Sequence, residues 1–184
     1  MKKTLLAVIL AAMATAASAE GNYAGVRAEL RNGTNGTEDA AAYSLTAGQN
    51  INQNLDGEIS VRVKSNDNDS NNTRMEGALI AKTQYGDFTP YVRGAIGEKF
   101  DGTDNFAYWS VEPGVKYAVL SDLSVKAGIR FRDAFNTGDN DSTRTYRLGA
   151  DYAVTKASTV SLGVDLQRGD SDYNTISAGY SVKF

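Results

Sequence analysis

Basic and acidic side chains recur two or four residues apart along this chain. Arg27, Glu29 and Arg31 form one such set; Glu58, Arg62 and Lys64 form another. Arg74 precedes Glu76, Lys126 precedes Arg130 and Arg132, and Arg147 precedes Asp151. In an extended strand, residues i and i+2 share a face. The spacing therefore gathers guanidinium, ammonium and carboxylate groups on one surface. Two chemistries suit such a surface: ion pairs that fill a space, or a charged wall that attracts small ions of opposite sign.

Other chemistries lack their residues. The chain has no histidine and no cysteine, so no His-dependent acid–base or triad mechanism and no soft-metal site is available. No phosphate-cradling glycine loop occurs, and no cofactor is expected. A carboxylate-only hydrolase would draw on Glu58, Glu76, Glu112 and Asp151, but each reads better as a partner for a nearby arginine or lysine. The segment DNDS occurs at 67–70 and at 139–142. Its Asp67, Asp69, Asp139 and Asp141 are the candidates for a hard cation. A calcium loop also needs Gly at its sixth position and Glu at its twelfth. Asn72 and Ala78 stand there in the first copy, Arg144 and Ala150 in the second. Solvated acidic loops are the expectation.

The elements that position these charges alternate with period two, about ten times over. Val26, Ala28 and Leu30 face away from Arg27, Glu29 and Arg31; Ile59, Val61 and Val63 face away from Glu58, Arg62 and Lys64. Further alternating runs follow, the last being Ile176, Ala178, Tyr180, Val182 and Phe184. Asp/Asn/Gly-rich connections such as 32–39, 66–73, 101–105, 136–143 and 169–172 take turns with mostly shorter ones. Such a pattern predicts an all-β, antiparallel up-and-down barrel of about ten strands, eight being the alternative. Pro113-Gly114 falls within the sixth run and predicts a bulge.

Residues 1–19 read as a cleaved signal peptide, with Lys2 and Lys3, an apolar run from Leu5 to Ala17, and Ala17-Ser18-Ala19 as the cleavage site. Residues 20–184 form the barrel. Without Lys2 and Lys3, 17 basic residues face 22 acidic ones, a net of −5, which argues against nucleic acid as a partner.

Alternation alone leaves open whether the apolar face points inward, as in a soluble barrel, or outward into lipid. Tyr43, Tyr85, Phe88, Phe100, Trp109, Tyr117, Phe131 and Tyr152 lie near the ends of the apolar runs, as interfacial girdles do. The last run, placed in a closed barrel, would have two neighbours and no free edge. With the signal peptide and the terminal Phe184, these features resemble the small outer-membrane β-barrels of Gram-negative bacteria, porin-like or opacity-like. The resemblance implies a membrane-lipid environment. It also implies an assembly signal at Tyr180, Val182 and Phe184, read by the outer-membrane assembly machinery. Oligomeric state stays open.

The polar face then lines a lumen. Its candidate pore-lining bases are Arg31, Lys64, Arg74, Arg93, Lys99, Lys126, Arg130, Arg132 and Arg147. By sequence parity it carries 14 basic and 7 acidic residues. Arg31, Lys64, Arg74, Lys99, Arg132 and Arg147 would form a ring at one end. Strands two, nine and ten contribute small residues there, among them Ser44, Gly48, Ser161, Gly163 and Gly179. A narrow anion-preferring pore for small anionic solutes is one expectation. A salt-bridged, filled lumen with acidic loops for surface contacts is the other.

Overall fold

The computed structural model describes residues 21–65, 72–101, 104–136, 138 and 141–184. The expected signal peptide, and Asp67, Asp69 and Asp139, lie outside the described residues. Ten strands follow one another: β1 (Asn22–Thr34), β2 (Ala40–Asn52), β3 (Leu55–Ser65), β4 (Asn72–Lys82), β5 (Phe88–Asp101), β6 (Asp104–Ala118), β7 (Leu123–Ala134), β8 (Thr143–Ala153), β9 (Ser158–Gly169) and β10 (Asp172–Lys183). Each pairs antiparallel with its sequence neighbours, and β1 pairs with β10 from Tyr23↔Lys183 to Thr34↔Asp172. The barrel is closed, with ten strands rather than eight.

The apolar face points outward. Leu30, Ile96, Leu148, Leu162 and Ile176 are each at least 60% exposed, and Tyr43, Phe88, Trp109, Tyr117 and Tyr152 join them on the outer surface. A continuous belt of this kind is untenable in water and is what lipid requires. The buried residues are chiefly polar, including Arg31, Asp56, Glu112, Arg132, Asp141 and Gln167. A soluble barrel has the reverse arrangement.

Connections differ from expectation at two points. Two residues separate β5 from β6 and two separate β9 from β10, so 101–105 and 169–172 are mostly strand ends and not loops. Pro113 makes no bulge. Val111↔Phe131 and Gly114↔Gly128 keep one register on either side of it, and Pro113 remains paired with Val92 on β5. Proline removes one donor from the β6–β7 ladder without adding a residue.

Gly114 has a different task. Its cross-strand partner is Tyr91, and a Cβ there would stand 2.4 Å from the Tyr91 ring. Gly48 faces Tyr23 and Gly97 faces Tyr108 in the same way; a Cβ would meet those rings at 2.2 and 2.6 Å. Each tyrosine lies flat over the bare backbone of its neighbour, and three rings occupy the lumen wall.

At Gly48 the ring is the whole obstacle, since Tyr23 supplies all three nearest atoms. Gly48→Ala should destabilise the barrel by about 1–3 kcal/mol through overpacking. In a Tyr23→Ala background the same change should cost close to nothing. A double-mutant cycle on urea unfolding, read by the gel-mobility shift of the folded barrel, checks this; equal costs in both backgrounds would refute the ring–glycine contact.

Candidate functional site: the charged lumen

Alternation delivers the lumen charges. On each strand the residues that leave the lipid face point inward, so Arg27, Glu29 and Arg31 from β1 meet Glu58, Arg62 and Lys64 from β3 across the small residues of β2. Among the described residues the inward face carries the 14 expected bases, but 8 acids, because Asp141 has folded in from the β7–β8 connection. The lumen surplus is therefore +6 instead of +7.

At the end of the barrel away from the chain termini, Asp141 is 3% exposed. Arg132 donates to both its oxygens, from Nε at 2.6 Å and Nη2 at 2.8 Å, and Arg74 stands 3.8 Å away. Both guanidiniums lie near the Tyr108 ring, at 5.6 and 6.0 Å. Arg31 stacks on Tyr173 at 3.8 Å and donates to Gln167 at 3.0 Å. Lys64 donates to the Tyr173 hydroxyl at 2.7 Å. Lys99 pairs in register with Arg74 and lies over Phe106 at 4.9 Å. Five of the expected ring residues are thus at this mouth. Arg147 is not: it sits four residues along β8 from Thr143, the partner of Arg132.

Midway down, two networks cross the lumen. Glu76 accepts from Arg93 at 2.6 Å, from Arg130, and from the Tyr108 hydroxyl at 3.1 Å. Arg93 also donates to Glu58 at 2.8 Å, and Tyr23 donates to Glu58 at 3.0 Å. Separately, Glu112 accepts from Arg147 at 2.6 Å and from Tyr91 at 3.0 Å, while Arg147 reaches Asp165 at 3.4 Å. Arg62 pairs with Glu29. Nearer the termini, Asp151 binds Lys126 at 3.1 Å and Lys116 at 3.5 Å, and Asp56 binds Lys82 at 2.5 Å. The four carboxylates considered for hydrolysis all sit in these pairs. Among the described residues no three metal-ligating side chains converge.

Four of the bases lack a carboxylate partner among the described residues: Arg27, Arg31, Lys64 and Lys183. The Nε of Arg31, Arg62 and Arg130 and Nη1 of Arg93 are buried without a protein acceptor. A cavity of about 600 Å³ runs beside the networks, lined by Lys183 and Lys116 towards the termini and by Arg31 and Thr143 towards the opposite rim. Its open side is the small-residue wall, with Ser44, Thr46, Ser161 and Gly163.

Tyr23, Tyr91, Tyr108, Tyr173 and Gln167 carry much of this architecture without having figured as site residues. Parity does place them inward, and a tyrosine opposite a glycine across a hairpin is the signal for three of them. The proposed assembly residues Tyr180 and Phe184 face outward, 46% and 40% exposed. Val182 shares their face, and Tyr180 bonds Ser158 at 3.0 Å.

Residues 4–153 match the outer membrane protein beta-barrel domain family. The chain belongs to that family. This outer-membrane barrel also shares its fold with solved structures. One is an outer-membrane channel from Pseudomonas putida F1, at a TM-score of 0.58 and 10% identity over 90% of this chain and 96% of that one. Another is the KdgM porin in complex with disordered oligogalacturonate, at 0.51 and 12% over 88% and 99%. A third is Neisserial surface protein A, at 0.50 and 16% over 90% and 98%. No curated sequence matches the barrel.

Asp141 is the counter-ion on which two arginines of the mouth rest. Asp141→Asn leaves their charges uncompensated and should cost about 3 kcal/mol of stability. Urea unfolding of the refolded barrel tests this; a cost below about 1 kcal/mol would show that water already screens the pair.

Proposed function

We propose that the barrel is a narrow, water-filled passage across the outer membrane that prefers small anions, with no enzymatic role. The carrying observation is the cation surplus around a cavity whose lining includes Lys183 towards the termini and Arg31 towards the opposite rim. A volume of about 600 Å³ holds on the order of 20 waters. Spread over an apolar band about 25 Å tall, it has a mean cross-section of about 24 Å², enough for a narrow file of water and ions. Arg27 projects into it opposite Ser44, with Gly179 on its other side. A fixed positive charge among hydroxyls in a low-dielectric wall lowers the energy of a passing anion and raises that of a cation. Inorganic anions and slim acidic solutes fit this passage. The oligogalacturonate named with the KdgM porin is of the second chemical kind, though that likeness carries fold alone.

The crossing networks favour a second reading, a filled and non-conducting barrel. Arg93 ties β5 to both β3 and β4, and Arg147 ties β8 to β6 and β9; these links are the struts of a plug. One recording separates the two. The refolded barrel in a planar bilayer under a salt gradient should give discrete small steps with an anion-selective reversal potential. Arg27→Glu should lower the anion preference severalfold without preventing folding. A folded barrel that never conducts would select the filled reading. Conductance with a selectivity that Arg27→Glu leaves unchanged would remove Arg27 from the passage.

A further inference from the structure

Nearly all the basic residues of the described chain point into the lumen or sit in a turn. Arg144 and Arg168 are the exceptions among the described residues: both are on the lipid-facing side of their strands and exposed. They are also direct cross-strand partners, Arg144 on β8 opposite Arg168 on β9. Like charges directly opposite each other on a sheet repel, and a guanidinium on the lipid face is tolerated only near an interface. Their position meets the second condition. Arg144 is the second residue of β8 and Arg168 the penultimate residue of β9, both at the rim away from the termini.

The first condition calls for an anion. Among the described residues no carboxylate lies within ion-pair distance of either guanidinium. Arg144 lies over the Phe131 ring at 5.4 Å and makes no hydrogen bond among the described residues. Arg168 is steered by neutral acceptors, the carbonyls of Gln167 and Tyr173 at 2.6 and 3.3 Å and Oδ1 of Asn174 at 2.9 Å. That leaves its Nε and one Nη2 hydrogen free. The acids nearby accept hydrogen bonds from other groups, Asp133 from the Ala134 backbone at 2.9 Å. Asp170 accepts from the Ser142 backbone at 2.6 Å. Asp172, within electrostatic reach of Arg168, accepts from Asn35 at 2.5 Å and Gly169 at 2.9 Å. Asp133 lies two residues beyond Phe131 on β7 and forms no ion pair with either arginine. Below the pair the surface turns apolar, with Tyr146 and Leu166 opposite each other and both exposed.

We infer that Arg144 and Arg168 form a binding site for the phosphate of an anionic membrane lipid. The two guanidiniums clamp the headgroup from adjacent strands, and its acyl chains lie along Tyr146 and Leu166. Guanidinium suits phosphate because its planar fork bonds two oxygens at once. An apolar track beneath two cations selects a lipid over a free ion. The site is on the outer wall and is independent of whether the lumen conducts.

Native mass spectrometry tests it, with the folded barrel released from bicelles holding equal amounts of phosphatidic acid and phosphatidylcholine. The barrel should retain phosphatidic acid over phosphatidylcholine by about thirtyfold, the effect of two arginines at an anionic surface. Arg144→Gln with Arg168→Gln should abolish the preference, and Arg144→Lys with Arg168→Lys should keep part of it. Arg144→Gln alone loses no protein hydrogen bond; it keeps the test available if the double variant folds poorly, and should itself weaken retention. No preference in the parent barrel, or a preference that survives both glutamine variants, would overturn the site. Displacement of the lipid by excess inorganic phosphate would overturn the assignment to lipid.

Discussion

The β1–β10 ladder is the constraint on which the rest of the structure depends. In hydrocarbon a strand edge has no water to satisfy its N–H and C=O groups. Twelve register pairs between β1 and β10 remove both edges at once. Closure then forces the two-sided chemistry of every strand. Whatever faces out must suit lipid, so the charges that keep the chain soluble before insertion have only the lumen and the rims to occupy. The inside-out burial pattern, with Arg31, Glu112 and Arg132 more hidden than Leu30 or Ile176, follows from closure and not from any preference of arginine for burial.

A lumen packed with charge must be held together without an apolar core. Three devices do this. Tyrosines lie over glycines on neighbouring strands, which gives aromatic packing area at the cost of strand propensity. Glu76 and Glu112 each gather donors from two or three other strands, so that one carboxylate fixes several wall positions. Asp141 comes in from a connection and supplies the counter-ion for Arg132 and Arg74 at the mouth. Removing any one of these leaves a partner stranded in the lumen.

The wall was legible in the sequence because a period of two has no other reading once runs of ten residues repeat it. Val26, Ala28 and Leu30 against Arg27, Glu29 and Arg31 settle which residues share a face, and the face assignments of all ten strands stand. The lumen contacts were less legible. Arg132 and Asp141 are paired through a connection whose path no periodicity describes, and Asp141 read as part of a solvated acidic repeat. Strand starts at one level put Arg147 at the mouth, whereas its register with Gly128 sets it deeper. Pro113-Gly114 looked like a bulge because proline breaks a ladder. The glycine answers instead to Tyr91, a cross-strand demand that only register reveals.

The distribution of small residues joins these points. Long side chains from β3 to β8, with Tyr23 of β1 and Asp165 of β9, form the crossing networks, whereas most inward positions of β2, β9 and β10 are serine, threonine and glycine. Were the lumen meant only to be filled, larger residues on that wall would fill it at lower cost than stranded cations, because packed apolar or neutral groups carry no desolvation penalty. Ser44, Ser161 and Gly163 stand beside Arg27, which has no ion pair among the described residues, while the networks stiffen the opposite wall. A barrel built this way gains rigidity from its ion pairs and keeps a polar seam, and the sign of that seam follows from the bases that the carboxylates do not reach.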